Sequence, residues 1–263
     1  MEIYPGFPAH ELLIERDVVK GVITGDLGIA RDGHRKDSFA PGMALRGKYT
    51  LFAEGARGSL SKKLGAIFRL HEGREPQKFG IGMKELWELP PARHKKGLVL
   101  HGMGWPLKSD TGGGLFVYHW GENFCSIGFV VHLNYSNPWL DPFLEFQRAK
   151  THPAIASMLD GAKRIGYGAR AITEGGFQSV PRLSFPGGAL IGCGAGFVNL
   201  PRIKGSHNAM KTGMLAADAA YDAVQAGRGG DELVEYEATF KKSWVYKELS
   251  VVRNAKPLLS KFG

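Results

Sequence analysis

Apolar positions in the first 66 residues come in short β-rich runs between turns. Leu12–Ile14 and Val18–Thr24 read as strands, and Gly25-Asp26 and Asp32-Gly33 as turns. Arg46–Ala53 reads as a strand with a buried end. After Glu54-Gly55-Ala56-Arg57-Gly58, the stretch Ser59–Leu64 has helical spacing, so this is a strand–glycine turn–helix unit. The pattern then becomes a meander. Phe79–Leu89, Leu98–Trp105, Leu115–Trp120 and Phe124–Leu133 read as strands, with Thr111-Gly112-Gly113-Gly114 between two of them. Such a series predicts an antiparallel sheet covered on one face. Asn137-Pro138 predicts a helix start, with Trp139, Leu140, Phe143, Leu144 and Phe146 as its apolar side. A second short helix follows Pro153, using Ile155, Met158 and Leu159, and Gly166–Gly176 reads as loop.

The last third repeats the strand–turn–helix theme. Ala189, Leu190 and Ile191 form a short apolar strand, Gly192, Gly194 and Gly196 a turn, and a helix opens at Gly205–Ser206 and runs through His207–Gln225. Asp231 is expected to cap a further helix in which Leu233, Tyr236, Phe240 and Trp244 recur at helical spacing. A glycine-rich turn lets a ligand approach the backbone, and a helix N-terminus favours negative charge. The length and order of this segment suit a flavin whose ribityl chain and ring lie along the helix start. Gly166-Tyr167-Gly168-Ala169-Arg170-Ala171 imitates a dinucleotide fingerprint. No buried strand precedes it, and Gly175-Gly176 interrupts the helix it would need, so it is rejected.

Composition narrows the classes. The chain has 263 residues, enough for one large or two small domains. A net charge of +9 suits an anionic membrane surface or an acidic partner, and equally a plain basic surface. The basic residues are scattered in short clusters such as Lys62-Lys63 without a nucleic-acid motif, so nucleic acid is not expected as a partner. The two cysteines, Cys125 and Cys193, are too few for a structural zinc or a cubane cluster, so no metal site is expected and both thiols are expected reduced. The opening residues lack the pattern of a signal peptide, and no run is as long as a membrane span; contact with a membrane would be peripheral.

Longer stretches carry a resemblance: TLFAEGARG at Thr50–Gly58, FGIGMKELWELP at Phe79–Pro90, GWPLKSDTGGGLFVYH at Gly104–His119, NPWLDPFLEFQRAKTHP at Asn137–Pro153, the long run Gly166–Gly213, and WVYKELSVVRNAK at Trp244–Lys256. Together they resemble the central portion of the electron transfer flavoprotein–ubiquinone oxidoreductases. That family has an FAD domain, a quinone-binding domain and a cluster domain, and passes electrons from reduced electron transfer flavoprotein to ubiquinone in the membrane. The resemblance implies an α+β chain: an incomplete FAD-binding α/β domain with an inserted antiparallel-sheet quinone-binding domain. Residues 1–66 would belong to the FAD-binding domain, 67–180 to the quinone-binding sheet and helices, and 181–263 to the FAD-binding domain again with C-terminal helices. It implies FAD as cofactor; electron transfer flavoprotein, ubiquinone and a membrane surface as partners; and a peripheral place on the inner membrane, on the bacterial cytoplasmic or mitochondrial matrix face. The family's G-x-G-x-x-G unit and the cysteines of its 4Fe–4S cluster have no counterpart in this sequence.

The resemblance also implies site residues. Gly192, Cys193, Gly194, Gly196 and Phe197 resemble the family's second flavin-contact turn, with Cys193 where many related flavoproteins carry an Asp. Lys204, Gly205, Ser206 and Asn208 would face the flavin's N1–C2=O edge; Ser206 also reads as an ordinary cap. Ala53, Glu54, Gly55 and Arg57 resemble the other flavin-side turn, where Arg57 would pair with a phosphate or with a surface acid. Gly113 and Gly114 resemble the quinone contact, although a hairpin turn accounts for them as simply. Tyr118 and His119 follow closely enough in sequence to handle protons, or else only pack. No catalytic residue is assigned. Leu258, Leu259 and Phe262 are expected to face either lipid or a core. Two alternatives stand beside this reading: a flavoprotein of the geranylgeranyl reductase type, against which the GWPL…GGG segment argues, and a truncated, non-catalytic fragment.

Overall fold

Strands β1 (Ala9–Glu15) and β2 (Val18–Thr24) form a hairpin whose two linking residues, Arg16 and Asp17, both have positive φ. That is the twist-matched turn for a tight hairpin. A second small hairpin joins β3 (Leu27–Ile29) to β4 (Arg35–Ala40), and the chain returns to pair β5 (Ala44–Arg46) with β2. The expected strand Arg46–Ala53 is in fact two pieces, because β6 (Thr50–Phe52) belongs to another sheet. Helix α1 (Ser59–Ile67) follows, burying Leu60 and Leu64. The computed structural model describes residues 2–262. It divides them into two compact units: residues 2–76 with 176–252, and 77–175 with 253–262.

The second unit is built on a five-stranded sheet of order β11-β7-β10-β9-β8: β7 (Phe79–Glu88), β8 (Val99–Gly102), β9 (Gly113–Trp120), β10 (Phe124–His132) and β11 (Lys163–Thr173). All pairings are antiparallel. The central strand β10 is buried on both faces. Cys125, Ile127, Phe129 and Val131 are fully covered, and Phe116 lies over the bare Cα of Gly128. Helices α2 (Pro142–Ala149) and α3 (Pro153–Leu159) contribute Phe146, Ala149 and Ile155 to the same core, with the Phe146 ring parallel to Phe129 at 6.0 Å. Each such fully buried large side chain contributes about 1.5–3 kcal/mol relative to exposure.

Two sequence expectations change here. Gly166–Gly176 is mostly not a loop. It supplies most of β11, an edge strand paired with β7 along its length, and an edge tolerates the glycines and the exposed residues that hid it. Helix α2 starts at Pro142 and not at Asn137-Pro138. Asn137 closes its own turn onto the Trp139 amide, while the Asp141 carboxylate accepts from the amides of Phe143 and Leu144. Phe143 and Leu144 are exposed, and Trp139, which precedes the helix, is 90% exposed.

Strands β12 (Ser184–Phe185) and β13 (Gly188–Leu190) complete the first unit. β13 lies parallel to β6, pairing Leu190 with Phe52. Helix α4 (Ser206–Gln225) is lined with alanines, of which Ala216, Ala219 and Ala223 are buried. Helices α5 (Val234–Lys242) and α6 (Trp244–Val251) close the core with Tyr236, Phe240, Val245 and Leu249. Asp231 does not cap α5; its carboxylate takes Tyr49 and Arg228 instead. Ser243 ends α5 and caps α6, so Trp244 opens a new helix. The last helix, α7 (Ala255–Phe262), is grouped with the second unit, and its Lys256 is buried there. Leu258 is exposed and Leu259 half-buried, while the Phe262 side chain lies outside the described residues. The whole is an α+β chain in which an antiparallel sheet interrupts a unit built on a parallel strand pair and helices.

Candidate functional site

In the first unit the pairing of β6 with β13 decides where the two glycine turns fall. Both strands run the same way, and the Ile191 amide donates to Phe52 O at 3.1 Å. The turn 53–58 and the turn 191–196 therefore leave the carboxyl ends of adjacent parallel strands side by side, the place where α/β folds take ligands. Gly194 sits against Phe52 O and Ser61 Oγ, with room for a Cβ at 3.4 and 3.8 Å from them.

Glu54 is committed within the first turn. Its carboxylate folds back over Gly58 and accepts from Leu60 N at 3.2 Å, Ser61 N at 2.6 Å and Ser61 Oγ at 2.7 Å. It caps α1 from four residues ahead of Gly58, the place where a cap usually stands. Ala53 and Arg57 are exposed beside it, and Gly55 takes a positive φ of 83°.

In the second turn Gly192 has φ 57°, and a Cβ there would stand 3.2 Å from Ala209 Cβ of α4. Its amide donates to Thr212 Oγ1, and the amides of Gly194, Ala195 and Gly196 close the turn internally. A ligand here would meet bare Cα atoms, not those amides. Cys193 is half-exposed and Phe197 is buried against Phe240.

Open donors lie at the start of α4. Gly205 is its N-cap, and among the described residues no side chain caps the first-turn amides of this 20-residue helix. Ser206 is thus not a cap, and it is exposed, as is Lys204. Asn208 is fully buried. Its Nδ2 donates to Phe197 O at 2.7 Å, while its Oδ1 meets no donor among the described residues.

Sequence reading missed what holds this region. Glu248 of α6 accepts from Asn199 Nδ2 at 2.7 Å and from Arg202 at 3.1 Å, and it binds His207 Nε2 at 3.0 Å; the His207 ring stacks on Trp244. Burial pushes the Glu248 carboxyl upward, but His207, Asn199 and Arg202 outweigh that and hold it below its ordinary range. Nothing local marks a glutamate that acts on residues more than forty positions away.

In the second unit, Gly113 and Gly114 open β9 and pair with Val131 and Val130. They belong to the sheet. A Cβ on Gly113 would fall 2.2 Å from Val130 O, and one on Gly114 2.7 Å from Gly102 O. His119 lies six residues further along β9, about 20 Å at the strand rise. It is buried, accepts the Lys95 amide and stacks on His94. Tyr118 binds His101. Neither is beside the glycines. The titratable ring that is beside them is His132, whose amide donates to Gly112 O.

Among the described residues no group of three or more His, Cys, Asp or Glu side chains is arranged to hold a metal, and no helix is long and apolar enough to cross a membrane. Burial pushes the Cys125 thiol up to about 12, which keeps it inert.

Residues 79–172 match the family described as "ETF-QO, ubiquinone-binding". The electron transfer flavoprotein–ubiquinone oxidoreductase of Pseudomonas aeruginosa is 53% identical over all of this chain and 48% of its own length. The mitochondrial protein of that name from Sus scrofa is 51% identical over 98% of this chain and 43% of its own length. The chain spans about half the length of the curated relatives it matches. Among solved structures, a geranylgeranyl bacteriochlorophyll reductase-like protein of Thermoplasma acidophilum aligns at TM-score 0.71 with 16% identity, over 97% of this chain and 58% of that one. A flavin-dependent brominase aligns at 0.59 with 15% identity, over 96% and 58%. These likenesses establish the fold. By sequence, the chain is similar from end to end to one portion of the electron transfer flavoprotein–ubiquinone oxidoreductases.

Proposed function

We propose that this chain supplies the flavin-side turns and the quinone-binding unit of an electron-transferring-flavoprotein dehydrogenase, which passes electrons from reduced electron transfer flavoprotein, through FAD, to ubiquinone at a membrane surface. The observation that carries this reading is the pair of side-chain-poor turns leaving neighbouring parallel strands, together with the uncapped α4 start. The residues present fit the flavin-bearing half of FAD. Gly192, Cys193, Gly194, Gly196 and Phe197 let a flat ring or its ribityl chain lie close. Gly205, Ser206 and Asn208 offer amides, and the orphaned Asn208 Oδ1 offers a buried acceptor. Lys204 and Arg57 bring positive charge, and Ala53 and Gly55 border the other turn. Glu54 serves through α1 and not by direct contact. FAD, when bound, supplies the electron-carrying chemistry; the protein supplies position and field.

Gly113 and Gly114 would let the quinone ring approach the backbone of β9. The exposed apolar side chains of this unit suit a lipid surface. Trp139, Met103, Phe143 and Leu144 are all more than half exposed, and Trp105 packs on Arg148 of α2, one turn from Leu144. A peripheral place on the inner membrane, on the matrix face or the bacterial cytoplasmic face, belongs to the same reading; its support is that relatives from Dictyostelium discoideum and Sus scrofa are named as mitochondrial. A geranylgeranyl-reductase-type activity rests on fold likeness alone.

The test supplies the purified protein with FAD, reduced electron transfer flavoprotein and a short-chain ubiquinone in lipid vesicles. The expected result is a bound-flavin spectrum and quinone reduction that depends on the donor protein. Reduction of a prenyl double bond without quinone reduction would favour the reductase reading; no flavin uptake and no quinone binding would leave only the inactive fragment.

A further inference from the structure

Three ionisable side chains from three elements meet inside the second unit. Glu174 follows β11, His132 ends β10 and Lys256 lies on α7; their side chains are 0%, 9% and 3% exposed. Glu174 Oε2 accepts from Lys256 Nζ at 3.2 Å. Its other oxygen accepts no hydrogen bond among the described residues and lies 3.7 Å from His132 Nε2. The opposite ring nitrogen of His132, Nδ1, presses against Gly112, where a Cβ would come within 2.3 Å of it. Gly80 makes the matching space for the carboxylate, since a Cβ there would lie 2.3 Å from Glu174 Oε1. The sequence thus leaves two backbone positions bare so that a histidine and a glutamate fit between the glycine stretch and a buried lysine.

A buried, half-satisfied carboxylate is costly to keep. Packing alone would be better served by an apolar group. The order of the groups suggests what it does. We propose that Lys256, Glu174 and His132 form a proton relay that delivers one of the two protons needed when a quinone at Gly113–Gly114 is reduced; this rests on the quinone site proposed above. Reduction to the quinol consumes two electrons, from the reduced flavin, and two protons. In the relay step, the His132 Nδ1–H bond breaks as an O–H bond forms on the quinone oxygen, and Nε2 takes the proton from the Glu174 carboxyl. The Lys256 ammonium then reprotonates Glu174 and is itself refilled from water.

The charge environment agrees. Burial holds the Glu174 carboxyl above its ordinary range although Lys256 pulls it down, so it can carry a proton. Burial, and then the Lys256 charge, lowers His132 to about 4, so the ring rests neutral and passes protons between its two nitrogens without storing one. Burial also lowers Lys256, helped by Lys78 near the start of β7 and opposed by Glu174, which makes the ammonium readier to give up its proton. Among the described residues, Lys78 just before β7, Lys256 on α7, Glu174 just after β11 and His132 at the end of β10 are the charged and titratable groups that act on the cluster.

The test uses Glu174→Gln and His132→Ala in the flavin-loaded protein, with ubiquinone-1 as substrate. Three readouts are taken: affinity for ubiquinone-1 by tryptophan quenching, the rate of its reduction against pH, and the carboxylic-acid carbonyl stretch in the infrared difference between quinone-free and quinone-bound protein. Both variants should bind ubiquinone-1 within about twofold of wild type. Both should reduce it about a hundredfold more slowly above neutral pH, the scale of a lost proton donor. Added imidazole should restore His132→Ala, and the carbonyl band should vanish in Glu174→Gln. Wild-type rates in both variants, or a deficit that tracks lost affinity and resists imidazole, would overturn the relay and leave the quinone site standing. Failure of the wild-type protein to bind ubiquinone-1 would overturn both.

Discussion

Replacing Gly192 with valine is expected to strip the protein of flavin. Gly192 holds φ at 57°, which a β-branched residue adopts only at a cost of about 1–2 kcal/mol. Its first side-chain atom would also press on Ala209 at 3.2 Å and shift the start of α4, the helix whose open amides are assigned to the flavin. The two effects together should weaken FAD binding by about tenfold or more, since each 1.4 kcal/mol is a factor of about ten. Gly192→Ala should fall between valine and wild type, because alanine adds the Cβ without branching. Fluorescence titration of FAD checks the order. Equal affinity in all three proteins would remove this turn from the site.

Replacing Lys256 with methionine should destabilise the second unit by about 3–5 kcal/mol, the range for breaking a buried ion pair from one side. It strands Glu174, whose side chain is fully buried, without its ammonium partner. The loss has a predicted pH dependence. Burial already raises the folded Glu174 carboxyl above its ordinary value, and removing Lys256 raises it further. Between the ordinary glutamate value and that raised value, the folded state holds more protons than the unfolded state, so stability falls as pH rises. The variant should therefore lie closest to wild type in acid and fall away towards neutral pH. The double variant Glu174→Gln with Lys256→Met should recover most of the loss at neutral pH. Urea unfolding at several pH values measures this; a pH-independent deficit would mean that methionine's packing, not the stranded charge, is responsible.

The helices and central strands were legible where periodicity was strong. α4 was read to within a residue of its start, and the core strands β7, β9 and β10 were found from their apolar residues. β11 was missed because an exposed edge strand with Gly166 and Gly168 has neither alternation nor β-branched density. The start of α2 was misplaced because Asn137-Pro138 is as good a local cap signal as Asp141-Pro142, and only tertiary packing of Phe146 decides between them. The turns assigned to the flavin could be picked out as glycine-rich segments after short strands. Their adjacency was implied by the resemblance alone, because it depends on a parallel pairing between residues far apart in the chain. Glu248 and the members of the His132–Glu174–Lys256 cluster carry no local motif and are joined to their partners only by the fold. Tyr118 and His119 show the converse error. Closeness in sequence to Gly113 suggested closeness in space, but an extended strand carries neighbours apart at about 3.3 Å per residue.

Hydrogen–deuterium exchange of the protein with and without FAD tests the central claim most directly. If the turns after β6 and β13 hold the flavin together with the α4 start, FAD should slow exchange in Ala53–Gly58, in Cys193–Phe197 and in Gly205–Asn208 as one group. Slowing in only one of these segments, or in none of them while FAD is bound elsewhere, would contradict it.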